Sequence, residues 1–387
     1  MRTPSPRTTL QPLVCSLIFF TASPAFAQKK ADATATFFET DKVVQLKLEI
    51  SPKPLGLLRL EPRKYVTGTV TEGQTEYPNL GVHLRGGIGS FRAVDEKAGF
   101  TFNMNKFGKV KTFHGMDKWH LNNSAQDPSY LSEIICGELM RDAGVPCSRF
   151  SHTVVTFNDK VLGMYLIKEG YDKYFLISNF KNSDGNFYDG GFLKDIDQQP
   201  ELVRAKDDVK DWADLKALHA ACQEPDLKKR FEKLEKLIDM DIFISCFCMQ
   251  AILGDWDGYV FNRNNYRIYH DPKRDKIIFI PSGMDQEFGN AVQGPLVPPM
   301  KGLVAIAVYQ TPEGKSRYLK RMAEINTKIM FSDKWNKRLD ELQALLKPEL
   351  TKLDPKVGAD YIKHVDRIRD FFRDRPKSIE RQLKVLK

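Results

Sequence analysis

The stretch that decides the fold is Gly254–Gly289, GDWDGYVFNRNNYRIYHDPKRDKIIFIPSGMDQEFG. Two segments in it, NYRIY and KIIFI, have the composition of strands and are joined by the turn HDPKRD. Asp257 and Asn262 precede the first strand, and Asp285 follows the second. Because antiparallel pairing brings both flanking loops to the same end of a hairpin, we expect these distant side chains to converge.

Such a group of oxygen-bearing side chains suits phosphoryl transfer. That reaction needs a carboxylate near the attacking hydroxyl, and oxygen ligands for the Mg²⁺ that bridges the phosphates. In protein kinases the catalytic aspartate is followed, five positions on, by a metal-binding asparagine, and Asp257 and Asn262 have that interval. The segment Asp285–Gly289 (DQEFG) is a longer version of the Asp-Phe-Gly triplet of kinases.

Upstream of this stretch the pattern predicts strands, one helix and a hairpin. VVQLKLEI (43–50) alternates like a strand, and a Gly-rich loop separates two further strands between residues 80 and 107. DPSYLSEIICGELMRDAGVP predicts a helix over 128–143 that Asp127 caps. On its apolar stripe we expect Glu138 to be included and Glu133 to point away. SHTVVTFNDKVLGMYLIKEGY predicts a hairpin that turns at Asn158–Asp159.

The order of elements predicts an α+β fold with two lobes. Residues 36–167 would form a β-rich N-terminal lobe, and residues 168–387 a mainly helical C-terminal lobe that carries the hairpin 254–289. The segments 203–252 and 316–387 have the helical pattern. We expect a cleft between the lobes rather than a doubly wound parallel sheet.

The N-terminus has the pattern of an export signal. Basic residues precede an apolar run at 13–20, and Ala25-Phe26-Ala27 has the small-x-small form of a signal peptidase site. We therefore predict a signal peptide over 1–27, a polar leader over 28–35, and a periplasmic, cell-surface or secreted protein with no transmembrane segment after cleavage. A short uncleaved anchor is the alternative.

Charge and cysteine content narrow the range of partners. Removing residues 1–27 takes away two arginines, which leaves 57 basic and 50 acidic residues and a net charge of +7. The excess suits acidic partners or nucleotide phosphates, but the lysines are too scattered for a nucleic-acid surface. The five cysteines after residue 27 are an odd number, and Cys246 and Cys248 lie in an apolar helical segment that predicts buried free thiols.

Several segments, in this order, resemble the CotH (spore coat protein H) family of atypical secreted protein kinases. They span roughly residues 40–310 and read LRGGIGSF, FHGMDKWHLNNSAQDPSYLSEIICGELMRDAGVP, LGMYLIKEGYD, DWDGYVFNRNNYRIY and FIPSGMDQEFG. The resemblance implies a kinase-like fold. It also implies an activity that transfers the γ-phosphate of ATP to Ser, Thr or Tyr hydroxyls of proteins, with Mg²⁺ or Mn²⁺.

The resemblance also assigns roles by position. Asp257 corresponds to the catalytic aspartate of the family. Three residues match or stand beside the metal-binding positions: Asn262, Asn265 and Asp285. The chain departs from the family where Ser282 and Gly283 replace a Trp and an Asp, which leaves one metal carboxylate fewer.

Phosphate-binding residues are expected near the Gly-rich loop. RGGIGS contributes Arg85, Gly86 and Gly87, where backbone N–H groups could approach phosphates, although a plain turn is the alternative. Lys97 matches a family lysine that precedes a core strand, with Lys106 and Lys118 as rivals. Its carboxylate partner stays open between two residues, Glu169, favoured by the resemblance, and Glu138, favoured by the helix stripe.

Two other functions remain in view. The Gly283 departure favours a non-catalytic coat or surface protein that keeps the fold. Asp255-Trp256-Asp257 is a D-x-D sequence, which a metal-dependent glycosyltransferase would place after a parallel nucleotide-binding sheet.

Overall fold

The computed structural model describes Met1 and residues 33–108, 112–289 and 291–386. Apart from Met1, the predicted signal peptide lies outside the described residues, as does the leader segment 28–32. Helix α1 (Ala33–Glu39) begins inside the predicted leader and packs Phe37 against the barrel described next. The leader therefore ends earlier than the sequence indicated.

Seven strands form a closed barrel in the order β1-β2-β3-β4-β5-β7-β6. Their bounds are β1 (Val43–Glu49), β2 (Val66–Glu72), β3 (Thr75–Arg85), β4 (Gly99–Asn103), β5 (Lys118–Asn122), β6 (Phe150–Phe157) and β7 (Lys160–Glu169). Helix α2 (Pro52–Leu60) connects β1 to β2. Neighbours pair antiparallel except β1 and β6, whose parallel pairing closes the barrel. The strand at 43–50 and the hairpin at 158–159 are confirmed, whereas barrel closure was not foreseen.

Strands β6 and β7 have two apolar faces. Val155, Tyr165 and Ile167 point into the barrel core. Met164 and Leu166 alternate with them and join a second core, which the helices share. Because successive side chains of a strand point to opposite faces, Lys168 also faces outward, toward the helices.

Helix α3 (Ser132–Asp142) packs against the outer face of β6 and begins later than predicted. Asp127 accepts hydrogen bonds from the backbone N–H groups of Ser129 (2.9 Å) and Ser132 (2.8 Å), so it stabilises a turn that leads into the helix. Eight of its eleven residues are buried, Glu133 among them. The expectation that Glu133 points away is therefore wrong, because the helix is covered on more than one face.

A second, four-stranded antiparallel sheet has the order β11-β10-β8-β9. Its strands are β8 (Phe187–Asp189), β9 (Glu201–Arg204), β10 (Tyr266–Asp271) and β11 (Lys276–Pro281), and α4 (Lys173–Phe180) precedes them. The predicted hairpin is confirmed, with Tyr266 opposite Pro281 at its open end. The Ser282 N–H donates to the Asn265 carbonyl (2.8 Å) and so joins the two flanking loops.

The remaining chain is mainly helical, as predicted. The helices are α5 (Ala213–Cys222), α6 (Leu227–Leu237), α7 (Met240–Leu253), α8 (Tyr259–Asn262), α9 (Leu303–Tyr309), α10 (Pro312–Ile325), α11 (Lys334–Leu353) and α12 (Pro355–Leu386). In the described ranges, none of the helices is long and apolar enough to cross a membrane. The five described cysteines are free and buried, which confirms the thiol prediction for Cys246 and Cys248. The fold class is thus mixed α+β.

Candidate functional site

A cavity of about 600 Å³ lies where the open end of the β10–β11 hairpin meets the loop after β3 and the first turn of α3. Seven of the residues predicted from the sequence line it: Arg85, Gly86, Gly87, Asp257, Asn262, Asn265 and Asp285. A slightly larger cavity, about 690 Å³, lies between α3, α7 and α10 and is lined by none of the predicted site residues. We therefore take the smaller cavity, where the chemistry converges, as the candidate site.

Asp257 is held by three asparagine amides. Asn262 Nδ2 donates to Oδ1 (2.9 Å), while Asn264 Nδ2 (2.9 Å) and Asn265 Nδ2 (3.0 Å) donate to Oδ2. Hydrogen bonds from three amides fix the orientation of this carboxylate. Asn264 was not predicted as a site residue, although its place between two predicted asparagines was a usable signal.

The backbone around Asp257 explains how three nearby asparagines reach it. The single turn of α8 starts at Gly258, where a Cβ would lie 2.2 Å from Gln250 Nε2. Arg263 and Asn265 both have left-handed backbones (φ 54° and 51°). These two residues turn the chain back toward the aspartate, since a continued helix would carry the asparagines away from it.

Asp285 lies in a strongly acidic part of the same cavity. Burial and the nearby charge of Glu133 raise the pKa of Asp285 to about 7, although Lys168 opposes the shift. Glu287, two residues on, is buried against Asp255, and burial followed by the charge of Asp255 raises its pKa well above the usual value. The carboxyl groups on this side of the site therefore hold protons more readily than usual, and a bound cation would favour their ionised forms.

Asp255 and Glu287 are neighbouring carboxyl groups, and burial raises the pKa of both, that of Asp255 to about 7. Gln250 Nε2 donates to Asp255 Oδ2 (2.8 Å). Within the described ranges, Asp255 Oδ1 and Glu287 Oε2 are buried without a hydrogen-bond partner. Because the Asp255 side chain is fully buried and does not line the cavity, the D-x-D sequence does not present two carboxylates to one ligand.

A buried ion pair joins α3 to β7 at the edge of the site. Lys168 Nζ lies 2.7 Å from Glu133 Oε1, and Asn122 Nδ2 donates to the other oxygen of Glu133. Both charged side chains are almost fully buried, with 2% and 1% of their surface exposed. Glu133 lines the cavity and Lys168 Nζ reaches Ser282 Oγ (3.4 Å), which lies beside the hairpin end. Neither residue of this pair was predicted as part of the site from the sequence.

The Gly-rich loop contributes one unsatisfied donor. Arg85 Nη1 is buried and contacts no acceptor in the described part of the chain. The charges of Glu133 and Asp285 face the guanidinium of Arg85, and burial lowers its pKa. Gly87 N–H donates to Ser90 Oγ (3.0 Å), so this backbone donor is already used inside the turn. Arg85 is therefore better placed than the glycine amide to receive an anion.

The other three predicted site residues lie elsewhere. Lys97 Nζ donates to the Tyr130 hydroxyl (3.1 Å) and lies over the ring of Tyr165 at 5.1 Å from its centroid. Both candidate partners pair with arginines: Glu169 with Arg149 (2.6 Å) and Glu138 with Arg338 (2.9 Å). None of the three predicted residues lines the cavity. The pairing predicted for Lys97 does not form.

The donor set can be tested for a divalent cation. Among the described residues, no three His, Cys, Asp or Glu side chains already converge as metal ligands. Asp285 lines the cavity, and burial together with the charge of Glu133 raises its pKa to about 7, a shift that a bound hard cation would offset. Mg²⁺ commonly takes one or two carboxylates and completes its shell with phosphates and water. The residues around Asp285 fit that mode of binding.

Comparisons with known proteins support the family resemblance. The sequence model of the CotH kinase protein family matches residues 82–379. The inner spore coat protein H of Bacillus subtilis (strain 168) is 24% identical over 201 residues, which cover 49% of this chain and 54% of that protein. The chain thus matches about half the length of this relative.

A solved structure, the Helicobacter pylori proinflammatory kinase CtkA, aligns with a TM-score of 0.32 and 10% sequence identity. The alignment covers 72% of this chain and 93% of that one. A TM-score of this size is too low to carry an argument.

Proposed function

Because this chain belongs to the CotH kinase protein family, we propose that it is an atypical protein kinase that phosphorylates protein hydroxyl groups with ATP and a divalent metal ion. The observation that carries the proposal is the shared cavity of Asp257 and Asp285, in which amides hold the first carboxylate and the pKa of the second is raised to about 7. Kinase chemistry needs those two roles to be separate.

Asp257 is the group that acts on the acceptor. Its fixed carboxylate would orient a Ser, Thr or Tyr hydroxyl and take its proton. The hydroxyl oxygen then forms a bond to the γ-phosphorus, the bond from that phosphorus to the β–γ bridging oxygen breaks, and ADP leaves. The three amides keep the carboxylate in place during the transfer.

Asp285 is the residue that would hold the metal. Mg²⁺ or Mn²⁺ would supply positive charge that stabilises the phosphates. Asn262 and Asn265 direct their amide N–H groups at Asp257, and the side-chain oxygen of Asn262 accepts from Lys301 Nζ (3.0 Å). We therefore assign these asparagines mainly to holding Asp257, which revises the metal role that the resemblance implied.

We propose that two cations near the cavity receive the phosphates. Arg85 has an unsatisfied N–H in the cavity wall, and Lys168 lies at the edge of the cavity beside Glu133. A lysine paired with a helix glutamate is a required part of the protein kinase site. We propose that Lys168 and Glu133 have the roles that the sequence analysis gave to Lys97 and to Glu138 or Glu169.

The proposal extends to the layout and the location of the protein. We propose a β-rich lobe followed by a mainly helical lobe, with the boundary after β7 rather than at 167, since that strand runs to Glu169. The likeness to a spore coat protein supports a surface or coat location. An export signal over 1–27 remains part of the same proposal.

Gly283 favours a second candidate, a non-catalytic member of the family. Its backbone is left-handed (φ 63°), and a Cβ there would lie 2.7 Å from Asn265 Oδ1. An aspartate at this position would displace an amide that holds Asp257, so the chain cannot simply regain the missing metal carboxylate. Such a protein would bind nucleotide without transferring phosphate.

The deciding experiment incubates the protein lacking residues 1–27 with γ-labelled ATP and Mg²⁺ or Mn²⁺, and follows label in the protein itself and in added casein. We expect labelling that needs the metal and disappears in Asp257→Ala. Thermal stabilisation by Mg-ATP without any label transfer would select the non-catalytic alternative.

A further inference from the structure

The mouth of the cavity carries an unusual amount of exposed apolar surface. Four large side chains line it: Ile88 (86% exposed), Phe192 (57%), Trp256 (52%) and Leu193 (38%). Single exposed apolar residues are normal on protein surfaces, but contiguous ones around a cavity mark a binding surface. We call Trp256, Phe192 and Leu193 the apolar rim.

Trp256 is presented on a fixed backbone. Its neighbours both turn inward, Asp255 to Gln250 and Asp257 to the asparagine amides. Its own N–H donates to the Gly254 carbonyl (2.7 Å). The indole is therefore held toward solvent before any ligand arrives, which lowers the entropic cost of binding.

Phe192 and Leu193 lie in the loop after β8. Leu193 has a left-handed backbone (φ 56°), which is unfavourable for a residue with a side chain. The carbonyl of the next residue, Lys194, accepts a hydrogen bond from the Tyr266 hydroxyl (3.0 Å). A strained loop that is tied to the hairpin and exposes two apolar side chains is typical of a ligand contact.

The opposite wall of the cavity has a different character. It carries Arg85 with its unsatisfied N–H, together with Gly86 and Gly87. Charged phosphates fit that wall. The apolar rim instead adjoins Asp257, because Trp256 is its neighbour in sequence and consecutive Cα atoms lie about 3.8 Å apart.

We propose that the apolar rim binds an apolar side chain of the acceptor protein, within two residues of the phosphorylated hydroxyl. The proposal rests on the kinase function above. A hydroxyl that reaches Asp257 places its flanking residues within a few ångströms of the indole, since one residue of extended chain spans about 3.3 Å. The rim thereby selects acceptor sites that have leucine, methionine or an aromatic residue beside the hydroxyl.

The test uses short peptides with a single serine flanked by leucines or by alanines. Binding is measured by calorimetry with Mg²⁺ and a non-hydrolysable ATP analogue, and phosphate transfer is measured with labelled ATP. The proteins are the wild type, Trp256→Ala, Phe192→Ala and the matched control Phe331→Ala, which removes a ring that is 45% exposed and does not line the cavity.

We expect the wild type to prefer the leucine peptide by about tenfold or more, the usual scale for one apolar pocket contact. That ratio should fall toward one in Trp256→Ala and Phe192→Ala and stay unchanged in Phe331→Ala. If the wild type binds and phosphorylates both peptides equally well, the apolar-rim proposal is overturned while the kinase function stands.

The same experiment distinguishes a failure of the apolar-rim proposal from a failure of the kinase proposal. Leucine-selective binding that depends on Trp256, without any phosphate transfer, supports the apolar rim and rejects the kinase function. If Trp256→Ala weakens binding of Mg-ATP and keeps the peptide preference, the rim binds the nucleotide base and the proposal is overturned.

Discussion

The two carboxylates of the site differ in how the protein treats their charge. Asp257 accepts three amide hydrogen bonds and has its acceptor capacity largely filled by the chain itself. Asp285 lines the cavity near Glu133 and Asp127, and partial burial together with the charge of Glu133 raises its pKa to about 7. One carboxylate is ready to act alone, whereas the other is costly to keep ionised without a cation.

This contrast distinguishes a positioned group from a ligand group. A residue that must meet a substrate proton benefits from a single orientation, which hydrogen bonds from the fold provide. A residue that must bind a cation benefits from carboxylate oxygens that do not already accept hydrogen bonds from the protein. Single substitutions can remove one of these two kinds of group at a time.

The largest effect is expected for Asp257→Ala. Loss of the group that takes the hydroxyl proton should lower phosphate transfer by roughly 10²–10⁴-fold. Binding of Mg-ATP should change little, because the contribution of Asp257 is made in the transition state. A labelled-phosphate assay beside calorimetry checks both. Full activity of this variant would remove the basis of the proposed mechanism.

Lys168→Met tests the cation that partly offsets the acidic side. It leaves Glu133 buried without its partner, which should lower the free energy of unfolding by about 3–5 kcal/mol. Adding Glu133→Gln should recover much of the loss, since no buried charge then remains. Urea denaturation of both variants measures this. If the double variant is no more stable than Lys168→Met, the pair does not act as a unit.

Asp285→Ala should weaken binding of Mg-ATP by roughly 10–100-fold, the scale seen when support of a metal site is removed. Excess metal should restore part of the activity, unlike in Asp257→Ala. Asp275→Ala is the matched control, because Asp275 lies at the far end of the same hairpin with its side chain 91% exposed. If Asp285→Ala and Asp257→Ala depend equally on the metal concentration, the two carboxylates do not have the separate roles proposed.

The smallest effect concerns Lys97, a cation that lies between tyrosines rather than beside a carboxylate. Burial lowers the pKa of Lys97 to about 8 from 10.5. Above pH 8 the unfolded chain therefore binds more protons at this residue than the folded chain, so its contribution to stability rises with pH up to about 10. Lys97→Met should reduce the rise in the free energy of unfolding between pH 8 and pH 9.5 by about 1 kcal/mol.

Chemical denaturation of wild type and variant at each pH measures that slope. The cysteines and tyrosines titrate in the same window in the unfolded chain, but they are common to both proteins and cancel in the difference. Identical slopes in the two proteins would mean that Lys97 is solvated in the folded state.

The parts of the site that local rules govern were predictable. The hairpin brings Asp285 to Asp257 because antiparallel register follows from a short turn, and Tyr266 indeed pairs with Pro281. One turn of helix is enough to bring the side chains of Asp257 and Asn262 together across their five-residue interval. Their assigned chemical roles stay predictions.

The missed residues depend on packing between distant segments. The helix stripe placed Glu138 inside and Glu133 outside, which assumes one buried face, whereas α3 is buried on most sides. Lys168 was not predicted, although its neighbour Glu169 was. The choice depends on which of the two side chains lies on the outward face of β7, toward α3. The first error comes from using a surface-helix rule on a central helix, and the second from not knowing which face of the strand the helix covers.

The barrel has a practical consequence for defining the domain. The family match begins at residue 82, which lies inside β3, whereas closure depends on β1 pairing with both β2 and β6. A chain trimmed to the matched span would lose β1, β2 and most of β3, leave β6 with an unpaired edge, and open the barrel core that buries Phe100 and Phe102. Open edges above apolar surface promote aggregation. Expression trials should therefore start ahead of Val43, and poor solubility of shorter versions would reflect a broken barrel rather than an inactive site.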